Sequence, residues 1–271
     1  MISLNSFSSP LWVSILSLPV LLPTSAPEAQ LCCDEAPSSA SAQLGAIGTV
    51  IQSTGAIEAD LTAFRELLGN PNNNALVGQQ PAGRREVNWD GVPAGVTNVF
   101  NFPNKFFNVN SPRGLVYGSA NRGLEVSSQG FTDINPTYAT EFLPFSGTKT
   151  FSTLGTNVSD VQFFVAGSAV EAGVRGFGVV FMDVDSGGST GIELLDKNGD
   201  TLAVVRAPAR SDARGASFAG IVFNDPVIAR VRIIAGTSHL APGVNDVSQG
   251  GVQDLVVMDD FIYGEPTALG Y

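Results

Sequence analysis

The feature that most constrains this chain is a series of short apolar runs, separated by turn-forming residues, that begins after Arg84. Several runs alternate apolar and polar side chains with a period of two, which is typical of β-strands that bury one face. Clusters of Gly, Pro, Asn or Ser stand between the runs and favour turns. The predicted strands cover residues 96–102, 105–109, 114–118, 160–167, 175–185, 192–196, 201–207, 217–225, 229–236 and 254–264.

This spacing, without any alternation of strands and helices, predicts a mostly β fold. We expect a lectin-like or jelly-roll antiparallel β-sandwich over residues 84–266, followed by a tail at residues 267–271. The runs on either side of Asn198-Gly199 form the strongest hairpin signal, and this dipeptide favours a type I′ turn.

One short N-terminal amphipathic helix is predicted over residues 53–69, with Ser53 or Thr54 as the N-cap. Its apolar residues fall on one face at helical spacing. They are Ile57, Leu61, Phe64 and Leu68. The preceding residues, 30–52, are interpreted as a linker, because residues 34–48 within them are mostly small and polar.

The first residues have the pattern of a targeting signal. The apolar run 11–22 has roughly 12 residues, which is shorter than the 20 or so that a membrane span needs. Small residues follow it, with Ala26 or Ala29 as cleavage positions. Residues 1–29 are therefore predicted to be a signal peptide. We expect a secreted protein, extracellular or periplasmic, with no membrane span in the mature chain.

Charge and residue usage exclude several classes of function. Fourteen Lys and Arg against 25 Asp and Glu give a net charge of −11. Nucleic acids and anionic membrane surfaces attract basic patches, so neither is an expected partner. With one His and two Cys, a His-rich metal centre or a zinc ribbon is also excluded.

The acidic residues of the second half suggest a calcium site. Asp183 and Asp185 end a predicted strand, and Asp259 and Asp260 lie in the last one. Calcium takes six to eight oxygen ligands, and carboxylates beside Gly-rich loops supply them. We predict these four residues as the metal ligands. Further acids nearby are Asp246, Asp254 and Glu265. The alternative is a solvated acidic edge.

Asp260 is the most informative of these acids. It alternates with Met258 and Ile262, so it points toward the core if they do. A lone buried carboxylate is costly and needs a metal, an arginine or backbone donors. Arg230 and Arg232, on a neighbouring predicted strand, are the arginines that compete with a metal for this role.

A sugar-binding site is predicted around Trp89. Sugar sites combine an aromatic platform for the ring with amides and carboxylates for the hydroxyl groups. Trp89 lies between Asn88 and Asp90, and these three residues form the predicted ligand-binding set. The alternative is that Trp89 packs in the core, as large aromatic residues usually do.

Residues 187–191 match G-x-S-x-G, with Ser189 in the nucleophile position. A hairpin follows this motif, whereas a nucleophile elbow requires a helix there. The motif is therefore interpreted as a strand connection, and no catalytic residue is assigned.

Four segments resemble an uncharacterised group of exported bacterial proteins and the ectodomains of PEP-CTERM-sorted proteins. They are GRREVNWDGVP (83–93), GFGVVFMDVD (176–185), SFAGIVFND (217–225) and VVMDDFIYGEP (256–266). The resemblance implies a β-sandwich outside the cytoplasm and no particular reaction. The chain departs from the sorted proteins after Pro266, where only TALGY follows, so we expect a released protein.

Together these features predict an exported, non-catalytic binding or surface-associated module. Its expected partners are an extracellular glycan and, as cofactor, Ca²⁺. Two alternatives stay open: a polysaccharide-active enzyme that uses paired carboxylates, and a structural matrix protein without a small ligand.

Overall fold

The computed structural model of the protein describes residues 48–118, 123–210 and 215–270. The predicted signal peptide and most of the predicted linker lie outside these residues. The helices are α1 (Glu58–Leu68) and α2 (Phe106–Val109). The strands are β1 (Thr49–Thr54), β2 (Arg84–Val87), β3 (Leu115–Tyr117), β4 (Leu124–Ser127), β5 (Thr150–Thr153), β6 (Val158–Phe163), β7 (Ala172–Gly173), β8 (Gly176–Met182), β9 (Gly191–Leu195), β10 (Thr201–Arg206), β11 (Ala216–Val222), β12 (Arg230–Ile234), β13 (Val257–Gly264) and β14 (Thr267–Ala268).

The strands form antiparallel sheets, which confirms the mostly β prediction. The larger sheet, here sheet A, has the order β1-β11-β8-β13-β5-β4, and β2 also pairs with β13. The second sheet, sheet B, has the order β10-β9-β12-β6-β3. The short strands β7 and β14 pair with each other. Neighbours in each sheet are often distant in sequence, so long-range pairing defines the fold.

One cluster of buried apolar side chains draws on both sheets. Sheet A contributes Phe177 and Phe261, and sheet B contributes Val161, Leu194 and Ile233. These residues alternate with others that point to the opposite face, as the period of two requires. The side of sheet A that contributes to this cluster is called its inner face below.

The outer face of sheet A is covered by α1. Leu61, Phe64 and Leu68 are the buried residues of this helix, and they belong to a second apolar cluster together with Phe218 on β11. Gly178 and Gly220 pair directly across β8 and β11. A Cβ atom at Gly220 would lie 2.7 Å from Cε2 of Phe64. The two glycines therefore leave the space that the aromatic rings occupy.

The boundaries at the N-terminal side differ from the prediction. A linker and a helix N-cap were predicted for residues 49–54. These residues instead form β1, which pairs with β11. The helix begins at Glu58 and its N-cap position is Ile57. Ser53 and Thr54 are therefore strand residues, and they pair with Phe218 and Ser217. An uncharged, β-branched segment such as TVIQST suits an edge strand.

Four other predictions need correction. Residues 96–102 form no strand, and residues 106–109 form α2. Residues 267–268, predicted as tail, form β14. In the β9–β10 hairpin only Gly199 has a positive φ, of 90°, whereas a type I′ turn needs two positive values. Gly199 N–H donates to the Asp196 carbonyl at 3.1 Å.

Candidate functional site

The structure places Trp89 in the core, which corrects its assignment as a sugar platform. Its side chain is 1% exposed. Its ring stacks on Phe151, with centroids 4.2 Å apart and planes inclined by 1°. Phe107 and Phe261 pack against it in T-shaped arrangements, each with its ring centroid 5.4 Å from that of Trp89. Both faces of the indole are therefore unavailable to a sugar ring.

The two neighbours of Trp89 do not form a ligand set with it. Asn88 is exposed, and Asp90 is half-buried. Asp90 Oδ1 accepts a hydrogen bond from Thr148 N–H at 2.7 Å, and its main-chain oxygen accepts one from Lys149 Nζ at 3.1 Å. Asp90 therefore holds the loop before β5.

The four predicted metal ligands separate into two pairs. Asp183 and Asp185 follow the end of β8, where other carboxyl groups approach them. Asp259 and Asp260 lie within β13 and belong to neither group of converging carboxylates among the described residues. A single site with these four ligands is therefore wrong.

Asp259 and Asp260 sit at a β-bulge. Met258 pairs with Phe181 on β8, but Phe261 pairs with Val179. Three steps on β13 thus match two steps on β8, which is the effect of one extra residue. Met258 and Phe261 both point to the inner face, because the bulge resets the alternation.

Both aspartates of the bulge contact Ser146. Asp259 Oδ2 accepts hydrogen bonds from the N–H groups of Phe145 and Ser146, at 2.6 and 3.1 Å. Ser146 Oγ donates to Asp260 Oδ1 at 2.7 Å. Arg65 of α1 lies 3.9 Å from Asp260 Oδ2. The arginine near Asp260 is thus Arg65, and neither Arg230 nor Arg232.

Burial dominates the protonation of this pair. It raises the pKa of Asp259 to about 8, and the charge of Asp260 adds to the effect. Burial also raises the pKa of Asp260, although the Ser146 hydroxyl and Arg65 oppose the change. The residues Asp259 and Asp260 are 0% and 5% exposed. They connect the 145–146 loop to sheet A and offer little surface to a substrate.

Five carboxyl groups converge beside the end of β8, and we call them the acidic cluster. They come from four segments of the chain. The members are Glu141, Asp183, Asp185, Asp246 and Asp254. Carboxylate oxygens of Glu141, Asp183 and Asp246 lie within 4.8 Å of one another, and so do those of Asp185, Asp246 and Asp254. Asp183 has a φ of +68°, a backbone conformation that is uncommon for aspartate and enriched at functional sites.

Asp254 is held by the loop that follows β8. Its Oδ1 accepts a hydrogen bond from Asp185 N–H at 3.2 Å. Its Oδ2 accepts bonds from Ser186 N–H at 3.0 Å and from Ser189 Oγ at 2.6 Å. The hydroxyl of the G-x-S-x-G motif therefore supports this carboxylate, and a strand, not a helix, follows the motif.

Asp246 is held by the segment that leads into β13. Its Oδ2 accepts from Ser248 N–H at 2.6 Å, and its Oδ1 accepts from Leu255 N–H at 2.7 Å. Ser248 Oγ in turn donates to Glu141 Oε1. Donors from the 246–255 segment thus orient the carboxylates of Asp246 and Glu141.

Asp185 differs from Asp246 and Asp254 because no main-chain N–H and no serine or threonine hydroxyl of the described residues donates to its carboxylate. No lysine or arginine of the described residues forms a salt bridge with Asp185, Asp246, Asp254 or Glu141. Burial raises the pKa of Asp185 to about 7, assisted by a hydrogen bond to the Asp246 carboxyl and by the surrounding negative charges. A cation in the cluster would relieve this repulsion.

Glu265, the other acid of the C-terminal region, lies elsewhere. Arg85 donates to both of its oxygens, at 2.8 and 2.7 Å, and both side chains are buried. The Arg85 guanidinium also donates to four main-chain carbonyls. Glu265 is therefore a structural ion-pair partner.

Sequence reasoning missed Glu141 as a member of the acidic cluster. This residue follows a 3₁₀ turn, Pro136–Thr140, in a segment without strand alternation. The buried aromatic residues Tyr138 and Phe142 beside it were the available signal that this loop packs inward.

No protein-family model matches the chain, and no curated protein is similar to it in sequence.

Among the described residues, no helix is long and apolar enough to span a membrane.

Proposed function

We propose that the protein is an exported, non-catalytic binding module that holds a calcium ion in the acidic cluster. The observation that carries the proposal is the Asp185 carboxylate. It faces Asp246 and Asp254 without a main-chain N–H donor, a serine or threonine hydroxyl donor or a basic partner among the described residues. Buried like charges at such distances are unfavourable unless a proton or a cation compensates them.

The chemistry of the cluster favours calcium over magnesium. Calcium accepts six to eight oxygens and several carboxylates, whereas magnesium keeps most of its waters and uses one or two carboxylates. The cluster offers five carboxyl groups from four chain segments. An ion bound there would join the ends of β8 and β13 to the 136–141 and 246–254 segments.

The proposed sandwich architecture and the proposed export rest on the two sheets and on the apolar run near the N-terminus. Two antiparallel sheets with a shared apolar core support a jelly-roll-type sandwich. The apolar run within residues 1–29 supports export. A glycan remains the proposed partner, but residues 88–90 are no longer its proposed site, because Trp89 is buried.

Thermal unfolding in EDTA and in millimolar Ca²⁺ tests the cation site. A ligand that binds only the folded state at a hundredfold excess over its Kd adds about 2.7 kcal/mol. For a domain of this size the midpoint should rise by several degrees. We expect Mg²⁺ to give a smaller rise. An unchanged midpoint, with no metal retained after dialysis, would overturn the proposal.

Two aspartate variants locate the ion. Asp185→Asn should remove the calcium response. The substitution breaks no hydrogen bond from a main-chain N–H group, because none donates to the Asp185 carboxylate. Asp225→Asn is the matched control, since Asp225 is exposed and lies outside the acidic cluster. It should keep the full response. Loss of the response in both variants would argue for a nonspecific charge effect.

A further inference from the structure

A cleft at one end of sheet B is separate from the acidic cluster. Its volume is about 220 Å³, which suits a ligand smaller than a typical drug. The hairpin loop after β9, the segment after β6 and the start of β12 form its walls. Residues with polar or aromatic side chains toward it include Gln162, Phe164, Lys197, Asn198 and Arg230.

Arg230 and Arg232 project from the same face of β12, but their surroundings differ. Arg232 pairs with Asp160 on one neighbouring strand and Glu193 on the other. It forms salt bridges to both, at 3.0 and 3.8 Å. Arg230, two residues earlier, has Gln162 and Leu195 in these positions. Neither side chain can neutralise it.

The guanidinium of Arg230 has no acceptor among the described residues. Its buried Nε–H donates to no acceptor among the described residues. No salt bridge of the described chain includes Arg230. A buried donor without an acceptor costs free energy that a bound acceptor would recover. The Nη2 atom of Arg230 lies near Gly199, which also lines the cleft, since a Cβ atom at Gly199 would lie 3.6 Å from Nη2.

Two acids line the cleft without pairing with Arg230. Asp196 Oδ1 accepts hydrogen bonds from the N–H groups of Asn198 and Asp200, at 2.8 and 2.9 Å. Its carboxylate is thus committed to the hairpin turn. Glu171 is exposed at the rim and forms no salt bridge with a described residue. Lys197 adds a second positive charge on the same side.

We propose that this cleft binds the carboxylate of a sugar acid, such as a uronic acid. A carboxylate matches the planar fork of donors on arginine. The amide of Gln162 suits hydroxyl groups, and so does the amide oxygen of Asn198, whose Nδ2 donates to Asp196 Oδ2 at 3.2 Å. The half-buried Phe164 supplies an apolar wall. In a chain with a net charge of −11, a site for an anion needs such a local arginine.

NMR titration with glucuronate at low ionic strength tests the cleft. The Arg230 Nε–H signal, assigned by its absence in Arg230→Gln, should shift on addition of glucuronate. Glucose and acetate are the comparison probes, since one lacks the carboxylate and the other the ring. We expect both to bind more weakly. Acetate binding as tight as glucuronate would overturn the sugar-acid assignment in favour of a simple anion site.

Arg232→Gln is the matched control for Arg230→Gln, because it removes the same charge from the same face of the same strand. Arg230→Gln should weaken glucuronate binding about tenfold or more, which corresponds to the loss of a charge-assisted hydrogen bond. Arg232→Gln should leave the affinity nearly unchanged. Equal losses in both variants, or no shift at the highest soluble concentration, would overturn the proposal.

The cleft does not depend on the calcium site, because it contains no residue of the acidic cluster. Titrations in EDTA and in Ca²⁺ should therefore give the same glucuronate affinity. Failure of the calcium response with retained glucuronate binding would remove only the cation site. The reverse result would remove only the cleft.

Discussion

The indole nitrogen of Trp89 donates a hydrogen bond to the main-chain oxygen of Asp259, at a distance of 2.7 Å. This bond connects the loop after β2 to the bulge of β13. It satisfies a buried donor and a carbonyl that the bulge removes from regular pairing. The stacked Phe151 ring holds the indole in this orientation.

Substitution of Trp89 should therefore destabilise the fold. We expect Trp89→Ala to lower the free energy of unfolding by about 3–5 kcal/mol through cavity formation. Trp89→Phe should cost about 1–3 kcal/mol, because the Asp259 carbonyl loses its donor. Chemical denaturation measures both values. Phe100→Ala is the control, since Phe100 is 54% exposed. A Trp89→Ala midpoint equal to that of the control would contradict the core role.

The glycine pair beneath α1 gives a second prediction. An alanine Cβ at Gly220 would lie 2.7 Å from a Phe64 ring carbon and 2.8 Å from one of Phe218. Gly220→Ala should therefore cost about 1–3 kcal/mol by overpacking. Gly95→Ala is the control, because no atom lies within 4 Å of its added Cβ. Equal unfolding midpoints for the two variants would show that α1 adjusts without cost.

Glu125 on β4 predicts a pH dependence of stability. The side chain is fully buried, and neither carboxylate oxygen receives a hydrogen bond among the described residues. Burial, with a smaller contribution from the charge of Asp133, raises its pKa to about 8. The unfolded chain titrates near the ordinary glutamate pKa of about 4.3. Between these values the folded state holds a proton that the unfolded state has released.

Stability should therefore fall as the pH rises from about 4.3 to 8, and this contribution should be constant outside that window. Glu125→Gln should make this fall shallower and exceed the wild type in stability at pH 9, while the raised pKa values of Asp185 and Asp259 keep part of the slope. Denaturant unfolding across this range measures the difference. Glu66→Gln, at an exposed position of α1, controls for the loss of one negative charge. If both variants changed the free energy of unfolding by the same amount at every pH, the buried Glu125 carboxyl would not be the cause of the pH dependence.

The alternation of apolar residues predicted the longer strands well, because each buries one or both faces. The runs that form β8, β11, β12 and β13 are all found as strands. The run 105–109 misled the prediction, since Phe106 and Phe107 are adjacent and both buried. A single helical turn achieves this as readily as a strand. The strands β4 and β5 carry few apolar residues and pair through their backbones.

The acidic cluster was predictable only in part. Asp183 and Asp185 stood out at a strand end, and Asp246 and Asp254 were visible in the loop before β13. The grouping depends on which strands are neighbours, and no local pattern contains that information. Asp260 is buried, as the alternation indicated, but the side of the sheet on which it lies was not predictable for a related reason. Alternation with Met258 and Ile262 assumes an unbroken strand, and the bulge lies between them.

The extra residue in the bulge shifts the alternation of inward- and outward-pointing side chains by one position along β13. Met258 points to the inner face before it, and Phe261 and Tyr263 do so after it. A deletion of either Asp259 or Asp260 would place Phe261 two residues after Met258, so the regular alternation of a strand would keep Phe261 and Tyr263 in the shared core. The deletion would cost contacts to the 145–146 loop, but it would not shift the register with β8. The acidic pair therefore marks a position in β13 where the loss of one residue would not turn an aromatic ring out of the core.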